Sequence, residues 1–86
     1  MKPIKVRVTR AMCREGHAGM ALECPVALGV TEATGCLASV ACDILWGYDG
    51  GWQHGMRVPA SVRRFIRRFD AGKPVKPFTF MLRAAK

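Results

Sequence analysis

Ser61-Val62-Arg63-Arg64-Phe65-Ile66-Arg67-Arg68-Phe69-Asp70-Ala71-Gly72 carries the strongest periodic signal in the chain. Val62, Phe65, Ile66 and Phe69 fall at i, i+3, i+4 and i+7, the spacing of a helix with one apolar stripe. Ser61, or Pro59-Ala60 before it, opens the helix, and Gly72 closes it. At about 100° per residue, Arg63, Arg64, Arg67 and Arg68 share a sector of about 140° on the opposite side. An apolar stripe needs a second layer to cover it, and the flanking sequence supplies strands rather than more helices.

Upstream, the stretch from Cys36 to Trp46 alternates, with Ala38, Val40, Cys42, Ile44 and Trp46 on one face and Ser39, Ala41 and Asp43 on the other. It reads as one strand. Tyr48-Asp49-Gly50-Gly51-Trp52 is a hairpin turn, because Asp-Gly and Gly-Gly tolerate the positive φ that tight hairpins require. The return strand runs from Trp52 to Val58 and ends at Pro59. Downstream, Lys73-Pro74-Val75-Lys76-Pro77 forms a stiff basic connection. Phe78, Phe80 and Leu82 then alternate with Thr79, Met81 and Arg83 in a last strand.

At the other end, Ile4, Val6 and Val8 alternate with Lys5, Arg7 and Thr9, a half-buried strand whose outer side is basic. Ala11 to Glu15 fit one helical turn closed by Gly16, and His17 to Glu23 form a loop around Gly19. Cys24-Pro25-Val26-Ala27-Leu28 starts a short helix, since proline suits the first turn. It runs through Thr34 and stops at Gly35. The order strand, short helix, strand, strand, helix, strand gives an α+β fold. The expected arrangement is βαββαβ, ferredoxin-like: a four-stranded antiparallel sheet with two helices.

Eighty-six residues make one domain, taken as 1–86. Half the residues are hydrophobic and 23% are charged, a balance that folds rather than one that stays disordered. The least charged segment, Cys24 to Cys42, is broken by Pro25, Gly29 and Gly35. It does not supply the roughly 20 mainly apolar residues of a membrane span. Met1-Lys2-Pro3-Ile4-Lys5-Val6-Arg7 has no apolar secretory core. The expected compartment is therefore the reducing cytoplasm, where Cys13, Cys24, Cys36 and Cys42 stay free. Cys36 and Cys42, in an apolar stretch, are expected to be buried.

The net charge of +8 is lopsided. Residues 1–43 hold five basic and four acidic residues; residues 44–86 hold nine basic and two acidic. Such a field draws polyanions.

Three chemical constellations arise. Cys13, His17, Cys24, Cys36, Cys42 and His54 are zinc-ligand types, but their gaps are irregular and contain no C-x2-C pair. Cys24 before Pro25 sits at a helix start, where a thiol pKa can fall, with His17 or His54 as a base if the fold brings one close. A half-buried cap is the plainer reading of Cys24. No paired carboxylates, Ser-His-Asp pattern or phosphate loop occur, so no catalytic residue, metal or cofactor is assigned.

The third constellation is the basic helix. Arg63, Arg64, Arg67 and Arg68, flanked by Arg57, Lys73 and Lys76, offer guanidiniums that match phosphate and carboxylate oxygens. Tyr48 and Trp52 at the hairpin add aromatic contacts of the kind found at interfaces or against bases. The first and third strands lack the aromatic runs of an RNA-recognition sheet.

Cys24-Pro25-Val26-Ala27-Leu28, with the run from Val58-Pro59 through Val62-Arg63-Arg64-Phe65-Ile66-Arg67-Arg68-Phe69 to Gly72-Lys73-Pro74-Val75-Lys76-Pro77-Phe78-Thr79-Phe80, resembles a group of small uncharacterised bacteriophage and prophage proteins. The resemblance implies a phage setting and brings no functional residue with it. Small phage accessory proteins often bind host machinery, anti-CRISPR-type counter-defence proteins among them. The leading expectation is a non-catalytic accessory protein that inhibits or redirects a host nucleic-acid-handling complex. Direct DNA or RNA binding by the same face is the alternative, and a thiol or zinc protein centred on Cys24 is the second.

Overall fold

The computed structural model describes residues 2–83; Met1, which opens the N-terminal reading, and residues 84–86 lie outside them. Eight elements follow in order: β1 (Ile4–Val8), α1 (Arg10–Glu15), α2 (Pro25–Thr34), β2 (Ala38–Val40), β3 (Asp43–Tyr48), β4 (Trp52–Arg57), α3 (Ala60–Asp70) and β5 (Phe78–Leu82). The class is α+β in a single small domain, as expected. The strands divide between two antiparallel sheets where the sequence suggested one of four strands. One sheet pairs β1 with β5, from Ile4 opposite Leu82 to Val8 opposite Phe78. The other is the meander β2-β3-β4.

The meander contains a turn that the alternation conceals. The stretch from Cys36 to Trp46 is two strands, β2 and β3, folded back around Ala41 and Cys42. Val40 stands opposite Ile44 and Ala38 opposite Trp46, so even-numbered residues face even-numbered ones across the turn. Ala38, Val40, Ile44 and Trp46 all remain buried. Cys42 is at the tip of the turn and is exposed, and Cys36 is half-buried, so neither thiol belongs to the buried core.

Helix α2 holds the two sheets together. It packs on β1 from one sheet and on β2 and β3 from the other. Val26, Ala27 and Val30 are fully buried on it, and each valine contributes roughly 1.5–3 kcal/mol by leaving water. Its ends follow the sequence signals. Cys24 is the N-cap, its Sγ accepting the Ala27 N–H at 3.4 Å, Pro25 occupies the first turn, and Gly35 closes the helix at φ 72°. Helix α1 starts with a reciprocal cap. Met12 N–H donates to Thr9 Oγ1, and Thr9 N–H donates to Met12 Sδ.

Helix α3 buries Val62 and Phe65 and half-buries Ile66 and Phe69, the stripe read from the sequence. It ends in paired reverse bonds: Gly72 N–H to the Phe69 carbonyl and Lys73 N–H to the Arg68 carbonyl. Gly72 at φ 73° makes this closure possible, because a Cβ there would be strained. The Phe65 and Phe78 rings, 4.7 Å apart, join α3 to the start of β5.

Candidate polyanion-binding face

The apolar stripe of α3 faces the core, so the other side of the helix must face solvent. Arg63, Arg64, Arg67 and Arg68 are all exposed. None of them lies within ion-pair distance of a carboxylate among the described residues, where the one such contact joins His17 and Glu23. The first turn of α3 carries no acid and the last carries Arg67 and Arg68. The Arg67 and Arg68 charges lie at the end of the helix where its dipole favours cations.

The four arginines are not equivalent. Arg63 Nη2 reaches back to the Val58 carbonyl at 3.4 Å and steadies the strand-to-helix junction. Arg68 donates from Nε and Nη2 to the Pro74 carbonyl at 3.2 and 3.0 Å, tying the connection after α3 to the helix. Arg64 and Arg67 make no such contacts and are the members of the set with no structural task among the described residues. Lys73 and Lys76 are exposed on the connection that follows. Arg57 is exposed at the end of β4 opposite Asp43, just before α3 begins.

Tyr48 and Trp52 are exposed and face each other at 5.1 Å, edge to face, at the hairpin tip. They are not part of the arginine face. Ile66 and Asp70 of α3 line a cavity with Val40 and Ala41, at the end of the meander where β3 begins. The aromatic tip is at the opposite end of that sheet, roughly 16 Å away along β4 at about 3.3 Å per residue. The nine residues singled out from the sequence therefore form two groups: seven basic residues on and around α3, and an aromatic pair elsewhere. Trp46, next in the ladder, is core and stacks on His54 at 5.4 Å.

Cys24, the alternative thiol centre, is the cap that the plainer reading expected, and it is buried. Cys24 is 5% exposed, and burial pushes its thiol up, with the Asp70 charge adding to the rise against the Ala27 and Val26 N–H groups that pull it down. His17 pairs with Glu23 at 3.7 Å, and His54 stacks on Trp46. Among the described residues no three His, Cys, Asp or Glu side chains gather in a group that could hold a metal ion. Likewise, no helix among them is long and apolar enough to cross a membrane. At mildly alkaline pH, iodoacetamide is expected to modify exposed Cys42 first and to leave Cys24 unmodified until the protein unfolds. Peptide mapping would show the order, and early labelling of Cys24 would favour the nucleophile reading.

A groove beside the arginines was not legible in the sequence. Ser61, Phe65, Arg68 and the connection Pro74–Phe78 enclose an open cleft of about 420 Å³. Its signal was Val75 between two prolines and two lysines, a lone apolar residue in a basic segment.

No family model, curated protein or solved structure matches this chain.

Proposed function

We propose that this is a non-catalytic binding protein that docks the basic face of α3 on an acidic surface of a nucleic-acid-handling complex and thereby inhibits or redirects it. The observation that carries the reading is the set of four exposed arginines on one rigid helix with no carboxylate partner among the described residues. A helix held by a buried stripe presents guanidiniums at fixed spacing, which lowers the ordering cost of forked contacts with carboxylate or phosphate oxygens. The resemblance to small phage proteins supports a bacterial host as the owner of the complex and its cytoplasm as the place of action.

The variant that tests this follows from the unequal roles of the arginines. Arg64→Glu with Arg67→Glu reverses the two guanidiniums that have no internal contacts, whereas changing Arg68 would also release Pro74. The double variant is expected to keep its circular dichroism and melting temperature and to lose co-purification with its complex from host lysate. Unchanged co-purification would remove α3 from the interface. A salt series with mixed-sequence duplex and single-stranded DNA separates the two targets. Tight binding of parent protein that collapses with salt, at a slope near the number of engaged arginines, would make nucleic acid the target.

A further inference from the structure

The groove beside Arg68 narrows the kind of acidic surface that α3 meets. Of its lining residues, Phe65 is buried and Val75 and Phe78 are half-buried, an apolar floor, while Ser61, Arg68, Pro74, Lys76 and Pro77 are exposed and form the rim. Arg64 stands one turn before Arg68 on the same ridge of the helix. The prolines fix their own φ angles, and the Arg68 guanidinium is held by the Pro74 carbonyl. The cleft is therefore formed before a partner arrives, and its remaining guanidinium N–H groups are already directed by that anchor.

We infer that this groove receives a large apolar side chain from an acidic segment of a protein partner, with flanking carboxylates on Arg64, Arg68 and Lys76. The inference rests on the proposed role of the α3 face and specifies its partner. Charge complementarity supplies the acidic requirement: no aspartate or glutamate lines the groove. The apolar floor supplies the anchor requirement. A phosphodiester strand would meet the rim but leave the floor unused. An inserted base would bring donor as well as acceptor edges to a cleft whose polar side chains are donors, with the Ser61 hydroxyl as the one side-chain acceptor. A cleft of this size falls in the range that holds a bulky side chain or small ligand.

Labelled peptides test it by fluorescence anisotropy with the whole protein. One is a short run of aspartates and glutamates around a central leucine; the other has serine in place of the leucine. The leucine peptide is expected to bind about tenfold tighter or better, the gain from burying one aliphatic side chain. Lys76→Glu, at an exposed position, is expected to weaken both peptides. Val75→Ser is expected to bring the leucine peptide down to the level of the serine peptide. Equal affinity of the two peptides, or no binding of either, overturns the inference. A single-stranded oligonucleotide that outbinds the leucine peptide and weakens with Val75→Ser would assign the groove to nucleic acid and also overturn it. If the peptides bind alike while Arg64→Glu with Arg67→Glu still abolishes partner co-purification, the groove assignment falls and the helix face stands.

Discussion

Replacing Trp46 with alanine is expected to cost about 3–5 kcal/mol, the range for removing a large aromatic side chain from a packed core. The ring is 2% exposed, pairs across to Ala38 in the register and stacks on His54. Alanine has too little volume to fill the space, and the neighbours are backbone-anchored strands that collapse inward only in part. Small domains have total stabilities of about 5–15 kcal/mol, so this one change removes a large share of it. Urea unfolding followed by circular dichroism measures the loss. Tyr48→Ala is the control, since Tyr48 is 52% exposed at the end of the same strand. A shift for Trp46→Ala no larger than that of Tyr48→Ala would mean that the core does not depend on the ring.

Gly29→Val is the second large effect, and its sign runs against helix propensity. Glycine inside a helix normally costs about 1 kcal/mol relative to alanine, so replacement usually stabilises. Here α2 lies so close to β1 that a Cβ on Gly29 would sit 3.1 Å from the Arg7 carbonyl oxygen and 3.1 Å from Val6 Cγ1. Arg7 is backbone within the ladder to β5 and yields only if that pairing shifts. A branched side chain worsens the clash by two methyl groups. The expected loss is about 1–3 kcal/mol, as for an overfilled core. A Gly29→Val protein that melts at or above the parent temperature would show that the helix rises off the strand at little cost.

Much of the fold was legible in the sequence because local chemistry set it. Pro25 and Gly35 bound α2, Gly72 closes α3, and the alternation of Phe78, Phe80 and Leu82 gives β5. The turn at Ala41-Cys42 was not legible. It contains no glycine or proline, and a reversal centred on Cys42 preserves the alternation of a continuous strand. Only the exposure of Cys42 betrays it. The split into two sheets was hidden for another reason: periodicity says which face of a strand is buried but not which strand lies beside it. For the candidate site, the arginine face followed directly from the wheel of α3. Its separation from Tyr48 and Trp52 depended on the direction of β4 relative to that helix, which no local pattern contains. The groove depended on where the Pro74–Phe78 connection returns over Phe65.

The two sheets also imply an order of assembly. The meander β2-β3-β4 joins neighbours through short turns, so little chain entropy is lost in closing it. The β1–β5 ladder joins Ile4 to Leu82 and closes nearly the whole chain into a loop. Such distant pairing is slow relative to local hairpins. Helix α2, which touches both sheets, is the element through which the local meander and the long-range ladder meet. The basic helix α3 lies in the chain between the meander and β5, and its Phe65 packs on Phe78 at the start of β5. The contact between Phe65 and Phe78 thus makes the backing of the arginine face depend on the pairing of the two ends of the chain.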